Sequence, residues 1–96
     1  MMSAHMKVFW QEDCIRCTPA KEMCNILIER KASVNLKLFD IGTIDGMAEA
    51  AFHEVISTPT IILVDEDDNE LHAWRGEAPS LEELESSIND INIMKL

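Results

Sequence analysis

Val8-Phe9-Trp10-Gln11-Glu12-Asp13-Cys14-Ile15-Arg16-Cys17 carries the reading of this sequence, because a β-prone run gives way within it to a helical one, with two cysteines at the junction. Met6 to Trp10 is a short β-rich run that Gln11, Glu12 and Asp13 interrupt. From Ile15 to Lys31 apolar residues recur at helical spacing, at Ala20, Met23, Cys24, Leu27 and Ile28. Asp13 is the expected N-cap of that helix. Pro19 is tolerated because it falls near the helix start, where backbone N–H groups lack partners.

Outward from the junction, Val34 to Phe39 alternates apolar and polar residues, as a strand with one face more buried does. Asp40 to Asp45 is a loop containing Gly42, and a second helix is expected from about Gly46 to Val55. Ser57-Thr58-Pro59-Thr60 then leads into Ile61-Ile62-Leu63-Val64, a run without alternation that predicts a central strand covered on both faces. Asp65 to Asn69 is a polar turn and Glu70 to Trp74 the second arm of a hairpin, which Gly76 ends. The acidic run Asp65 to Glu70 lacks the glycine and the distal glutamate of a calcium loop. Ser80 and Glu83 have capping-box spacing at the start of a last helix, expected to run to about Ile91. The order β-α-β-α-β-β-α predicts an α/β sandwich with a four-stranded sheet and helices on both faces.

A chain of 96 residues suits one compact domain, taken here as residues 1–96 with the first five read as disordered or tag-derived. At 47% hydrophobic and 27% charged, the composition argues against disorder. Eighteen acidic against 8 basic side chains give a net charge of −10, which repels both a phosphate backbone and an anionic membrane surface. No apolar stretch approaches the ~20 residues of a membrane-spanning helix. Met1 to Met6 lacks the apolar core of a secretory signal, so the chain reads as cytoplasmic, and as a monomer.

Three cysteines are the wrong number for a disulfide-stapled secreted domain. Cys14 and Cys17, three residues apart, share a helical face at a separation a disulfide can span. Closing so short a loop contributes only roughly 2 kcal/mol, against about 3 for fifteen residues, so chemistry is the better reason for the pair. Cys14 lies at the positive end of the helix dipole, with Arg16 adding a cation and Glu12 and Asp13 opposing it. Lowering a thiol pKa from ~8.5 to ~7 raises the thiolate fraction about fifteenfold, of which weaker nucleophilicity removes roughly fivefold. Proximity is the larger gain: Cys17 is held ready to attack the mixed disulfide that Cys14 forms with a substrate. The end of a strand in an open α/β sheet is also where a ligand gains access, exposing Cys14 and shielding Cys17.

These residues resemble the thioredoxin-like superfamily over nearly the whole chain. Val8-Phe9-Trp10 with Cys14-Ile15-Arg16-Cys17 is similar to the family's first core strand and active-site turn. Ser57-Thr58-Pro59-Thr60 before Ile61 to Val64 is similar to its cis-proline loop, and Trp74-Arg75-Gly76 before Ser80-Leu81-Glu82-Glu83-Leu84 to its last strand, glycine and helix. The resemblance implies a thioredoxin-like three-layer sandwich, with a mixed four-stranded sheet flanked by three helices. It implies a cis bond before Pro59, backbone groups of Thr58 offered to an extended substrate, and a substrate contact at Arg16. Three departures stand out. The family's additional N-terminal strand and helix are expected to be missing. Val8 replaces the buried acid six residues before the first cysteine, and Asp13 replaces the adjoining tryptophan. No Gly-Gly pair follows the hairpin, as glutaredoxins have to hold glutathione.

The expected function is protein thiol–disulfide exchange with Cys14 as nucleophile and Cys17 as resolving thiol. It needs no cofactor, takes protein disulfides as substrates, and depends on an external reductase. A second reading has the thiols hold a metal or iron–sulfur cluster, shared with another molecule. A third is an adaptor with incidental cysteines. Cys24, seven residues after Cys17 on the same helical face, reads as a small buried residue. No metal site is expected from the scattered His5, His53 and His72; His53 and Glu54 read as surface residues. Trp10 is placed in the core beneath the cysteine turn and Trp74 in hairpin packing.

Overall fold

The computed structural model describes residues 4–30 and 34–94. Seven elements follow in the expected order: β1 (Ala4–Trp10), α1 (Cys17–Arg30), β2 (Val34–Asp40), α2 (Ile44–Phe52), β3 (Thr60–Val64), β4 (Glu70–Arg75) and α3 (Leu81–Met94). The four strands form one sheet in the order β2-β1-β3-β4. β1 runs parallel to β2 and antiparallel to β3, and β3 is antiparallel to β4.

Alternation along the strands sorts the core into two layers. Met6 and Val8 of β1 and Ile61 and Leu63 of β3 face one way, where Cys24 and Leu27 of α1 meet Leu84 and Ile88 of α3. Phe9, Ile62 and Val64 face the other way, against Ala50 of α2. All five residues of β3 are buried, as its unbroken apolar run requires of a strand covered on both faces.

Several boundaries differ from the sequence reading. Ala4 and His5, expected outside the fold, are the first residues of β1. The first helix begins at Cys17 rather than Ile15, because Asp13 takes a left-handed backbone angle (φ 67°) and the chain turns before it coils. The Cys17 N–H reaches the Cys14 carbonyl at 3.2 Å, and the first full helical bond runs from the Ala20 N–H to the Arg16 carbonyl at 3.4 Å. Arg16, not Asp13, therefore occupies the N-cap position. The second helix starts two residues early because Thr43 Oγ1 caps it, accepting from the Gly46 N–H at 3.0 Å.

That helix also ends early, at Phe52. The Val55 N–H reaches back to the Ala50 carbonyl (2.8 Å) and the Glu54 N–H to Ala51 (3.2 Å), with Glu54 left-handed at φ 57°. This is a Schellman stop, with Val55 packing back toward Ala50. The third helix has its anticipated cap, Ser80 Oγ accepting from the Glu83 N–H at 3.1 Å, and extends to Met94.

Candidate active site

The register brings three chain segments to one end of the sheet. Trp10, the last residue of β1, pairs with Asp40, and the preceding Phe9 pairs with Thr60 at the start of β3. Thr60 in turn pairs with Arg75 at the end of β4. The cysteine turn leaving β1, the Ser57–Pro59 segment entering β3 and Gly76 leaving β4 are therefore neighbours.

Cys14 and Cys17 form a disulfide, with an S–S distance of 2.13 Å and a Cα–Cα distance of 5.3 Å. Cys14 sits in the turn, half-buried, whereas Cys17 is the first residue of α1 and only 2% exposed. The asymmetry follows from the fold: Cys17 opens the buried stripe of α1 that continues through Ala20, Cys24 and Leu27. Ile15 and Arg16 between them are exposed.

Opposite the turn, the Thr58–Pro59 peptide bond is cis and the proline ring is buried. Thr60, fully buried, ties this segment down. Its Oγ1 donates to the Ser57 carbonyl at 2.7 Å and accepts from the Gly76 N–H at 3.3 Å. Gly76 has φ 80°, a backbone angle that favours glycine, and a Cβ there would lie 3.1 Å from Ser57 Oγ, so the side chain of Ser57 would have to give way. Thr58 is half-buried and Ile56, two residues before it, almost fully exposed.

The remaining expected residues fall as follows. Cys24 is a free, fully buried thiol, and burial pushes its pKa up to about 12. Val8 is fully buried among Met6, Cys24 and Leu27, so an apolar side chain occupies the place where the resemblance called for an acid. Trp10 is half-buried rather than core, its ring covered by the Lys21 ammonium at 3.6 Å. Trp74 goes further inside than hairpin packing requires, joining the core while its indole N–H donates to Glu83 Oε2 at 2.8 Å.

His53 overturns its surface assignment: it is 6% exposed. As the C-cap of α2 it turns inward, edge-on to Phe9 at 6.1 Å, with Nε2 3.1 Å from Lys7 Nζ. Lys7, buried in the central strand, also donates to Glu49 and, at 2.6 Å, to Asp68 Oδ1. Burial alone would lower the Lys7 pKa, but the hydrogen bonds to Asp68 and Glu49 outweigh it and the net shift is upward. The bond from Lys7 holds Asp68 below its ordinary value. Glu49, His53 and Asp68 bring ligand atoms within 4.8 Å of one another, a spacing that suits a metal ion, and the Lys7 ammonium sits among them as the cation. Sequence reading missed this group. Its signals were a lysine inside a β-run and a Glu49–His53 pair at i,i+4.

Solved structures place this arrangement in a known fold. The chain aligns over 93% of its length with 84% of thioredoxin-2, described as a component of malaria parasite protein secretion machinery, at 21% identity and a TM-score of 0.81. It aligns over 92% with 74% of a thioredoxin mutant from Halobacterium salinarum, at 18% identity and a TM-score of 0.80. Oxidised mitochondrial thioredoxin 3 from Saccharomyces cerevisiae is matched over 92% of this chain and 78% of its own, at 22% identity and a TM-score of 0.74. No family model and no curated protein sequence matches. The chain has the thioredoxin fold, with a cysteine pair at disulfide distance where its first strand turns into a helix.

Proposed function

We propose that this chain is a protein thiol–disulfide oxidoreductase working through Cys14 and Cys17. The observation that carries the reading is the asymmetry of a bridged pair at the sheet end: Cys14 is reachable and Cys17 buried, next to the Thr58–Pro59 segment. The disulfide corresponds to the oxidised form. In the dithiol form, the Cys14 thiolate attacks one sulfur of a substrate disulfide, and the other substrate sulfur leaves as a thiolate and takes up a proton. Cys17 loses its proton and attacks Cys14 Sγ, forming the Cys14–Cys17 bond and releasing the second substrate thiol. Two electrons pass to the substrate, and an external reductase or thiol must return them.

In this reading the backbone of Thr58 holds the substrate chain extended past Cys14, Pro59 shapes that ledge, and exposed Arg16 touches the substrate. Ile15 and Ile56 supply apolar contact on either side. The odd cysteine count and the free Cys24 support a reducing, cytoplasmic setting. The test is turnover of a protein disulfide such as insulin with dithiothreitol as electron source. Cys14→Ser should lose at least about a hundredfold in rate. Cys17→Ser should accumulate a mixed disulfide visible by mass spectrometry. Activity of Cys14→Ser equal to the parent would overturn the assignment.

A further inference from the structure

The helix α2 has a second apolar face. Ile44, Met47, Ala48, Ala51 and Phe52 recur at i, i+3, i+4, i+7 and i+8, the spacing by which a helix marks a face for burial. All five are exposed, the large ones at 86% for Ile44, 57% for Met47 and 66% for Phe52. They do not serve the core, because Gly46, Ala50 and the cap residue His53 already supply the sheet-facing side. Single exposed apolar residues are ordinary, but a row of five along one helix marks a binding surface.

Charge selects the occupant. Exposed Asp45 lies on the same helix, and the Lys7 ammonium draws Glu49 together with Asp68 of the β3–β4 turn, which brings Asp67 and Asp68 to that flank. A second copy would bring the same rim and a further net charge of −10. An anionic lipid surface is repelled for the same reason. A cationic partner is attracted.

We propose that the outward face of α2 docks a cationic amphipathic helix of a partner protein. Its apolar stripe lies on Ile44, Met47 and Phe52, and its Lys or Arg residues run along the Asp45–Asp67–Asp68 flank. A helix fits because side-chain rows at i, i+3 and i+4 interlock with the like rows of another helix. The nine residues of α2 rise about 13 Å, so two to three turns of the partner cover the stripe. The surface begins next to the cysteines, since the Thr43 N–H holds the Asp40 carbonyl at 3.0 Å and Asp40 pairs with Trp10. The proposal does not depend on disulfide exchange.

The test titrates the whole protein with a synthetic helical peptide bearing leucines at i, i+3, i+4 and i+7 and lysines on one flank. A twin peptide carries glutamates in place of the lysines. Fluorescence anisotropy gives the affinity and heteronuclear NMR the contact residues. The lysine peptide should shift resonances of residues 44–52 and of the acidic turn, and bind roughly tenfold or more tightly than its twin. Met47→Glu with Phe52→Glu should weaken it by at least about tenfold, and Met47→Glu alone, which leaves the edge-on Phe52–His53 contact in place, should weaken it with melting unchanged. Asp45→Lys should weaken it less and flatten its salt dependence. Equal binding by the double variant, equal binding of the two peptides, or shifts confined to other elements would each overturn the proposal. So would a dimer in sedimentation that Phe52→Glu dissociates, since the occupant would then be a second copy.

Discussion

Two single residues show how far local chemistry departs from its usual preferences here. Glu54 is held at φ 57°, in the position of the Schellman stop that glycine fills most readily. It is exposed, so its side chain gives little in return. Glu54→Gly should therefore stabilise the protein by about 1 kcal/mol, read as a higher denaturant midpoint at unchanged slope. Lys7 is the opposite case, a charge inside a strand that the fold tolerates because three partners surround it. Lys7→Met keeps the length of the side chain and removes the ammonium, leaving Glu49 and Asp68 against each other. The expected cost is about 2 kcal/mol, below that of a fully buried pair because both carboxylates reach water. An NMR titration gives an independent check: the depressed Asp68 pKa should rise toward the ordinary carboxylate range in the variant, since the Lys7 hydrogen bond is the main cause of its depression.

At the scale of the element, α1 couples the cysteine pair to the core. Its buried stripe runs from Cys17 through Ala20 and Cys24 to Leu27, so the Cys17 sulfur is held by the same packing that fixes the helix. Cys24 makes that packing sensitive to alkali. Its folded pKa is about 12 against an ordinary 9.0, so between those values the folded state keeps a proton that the unfolded state has released. Stability must then fall as pH rises through this window, by up to about 1.4 kcal/mol per pH unit, and be fully present below it. Denaturation at successive pH values should show this loss in the parent relative to Cys24→Ala, whose lower but pH-insensitive contribution at this position removes it. Parallel curves for the two proteins between pH 9 and 12 would contradict the assignment.

The whole molecule is dominated by its charge. A net of −10 on 96 residues means that folding gathers like charges, and the compact state works against its own field. Salt shortens the reach of that field from about 30 Å at 0.01 M to about 10 Å at 0.1 M. The melting temperature should therefore rise over this range, unlike that of a protein held by surface ion pairs; a fall would show that pairs such as Arg75–Glu70 and Arg30–Glu85 outweigh the net repulsion.

Much of this architecture was legible in the residues themselves. The unbroken Ile61–Val64 run announced a strand buried on both faces, Ser80 announced a helix start, and Cys14 and Cys17 announced their own bridge, because each signal is local and is read within a few residues. What only the tertiary structure decided is what depends on distant chain segments. The burial of His53 is of this kind, since its ring meets Lys7 and Phe9 of β1, whereas the shifted helix starts at Cys17 and Ile44 follow from the local backbone at Asp13 and the cap at Thr43. The Lys7 group joins residues 42, 46 and 61 positions apart, so the lysine in a β-run and the Glu49–His53 pair stand in the sequence without showing that they meet. Burial and charge pairing are properties of assembled neighbours, whereas hydrophobic period and capping are properties of adjacent residues.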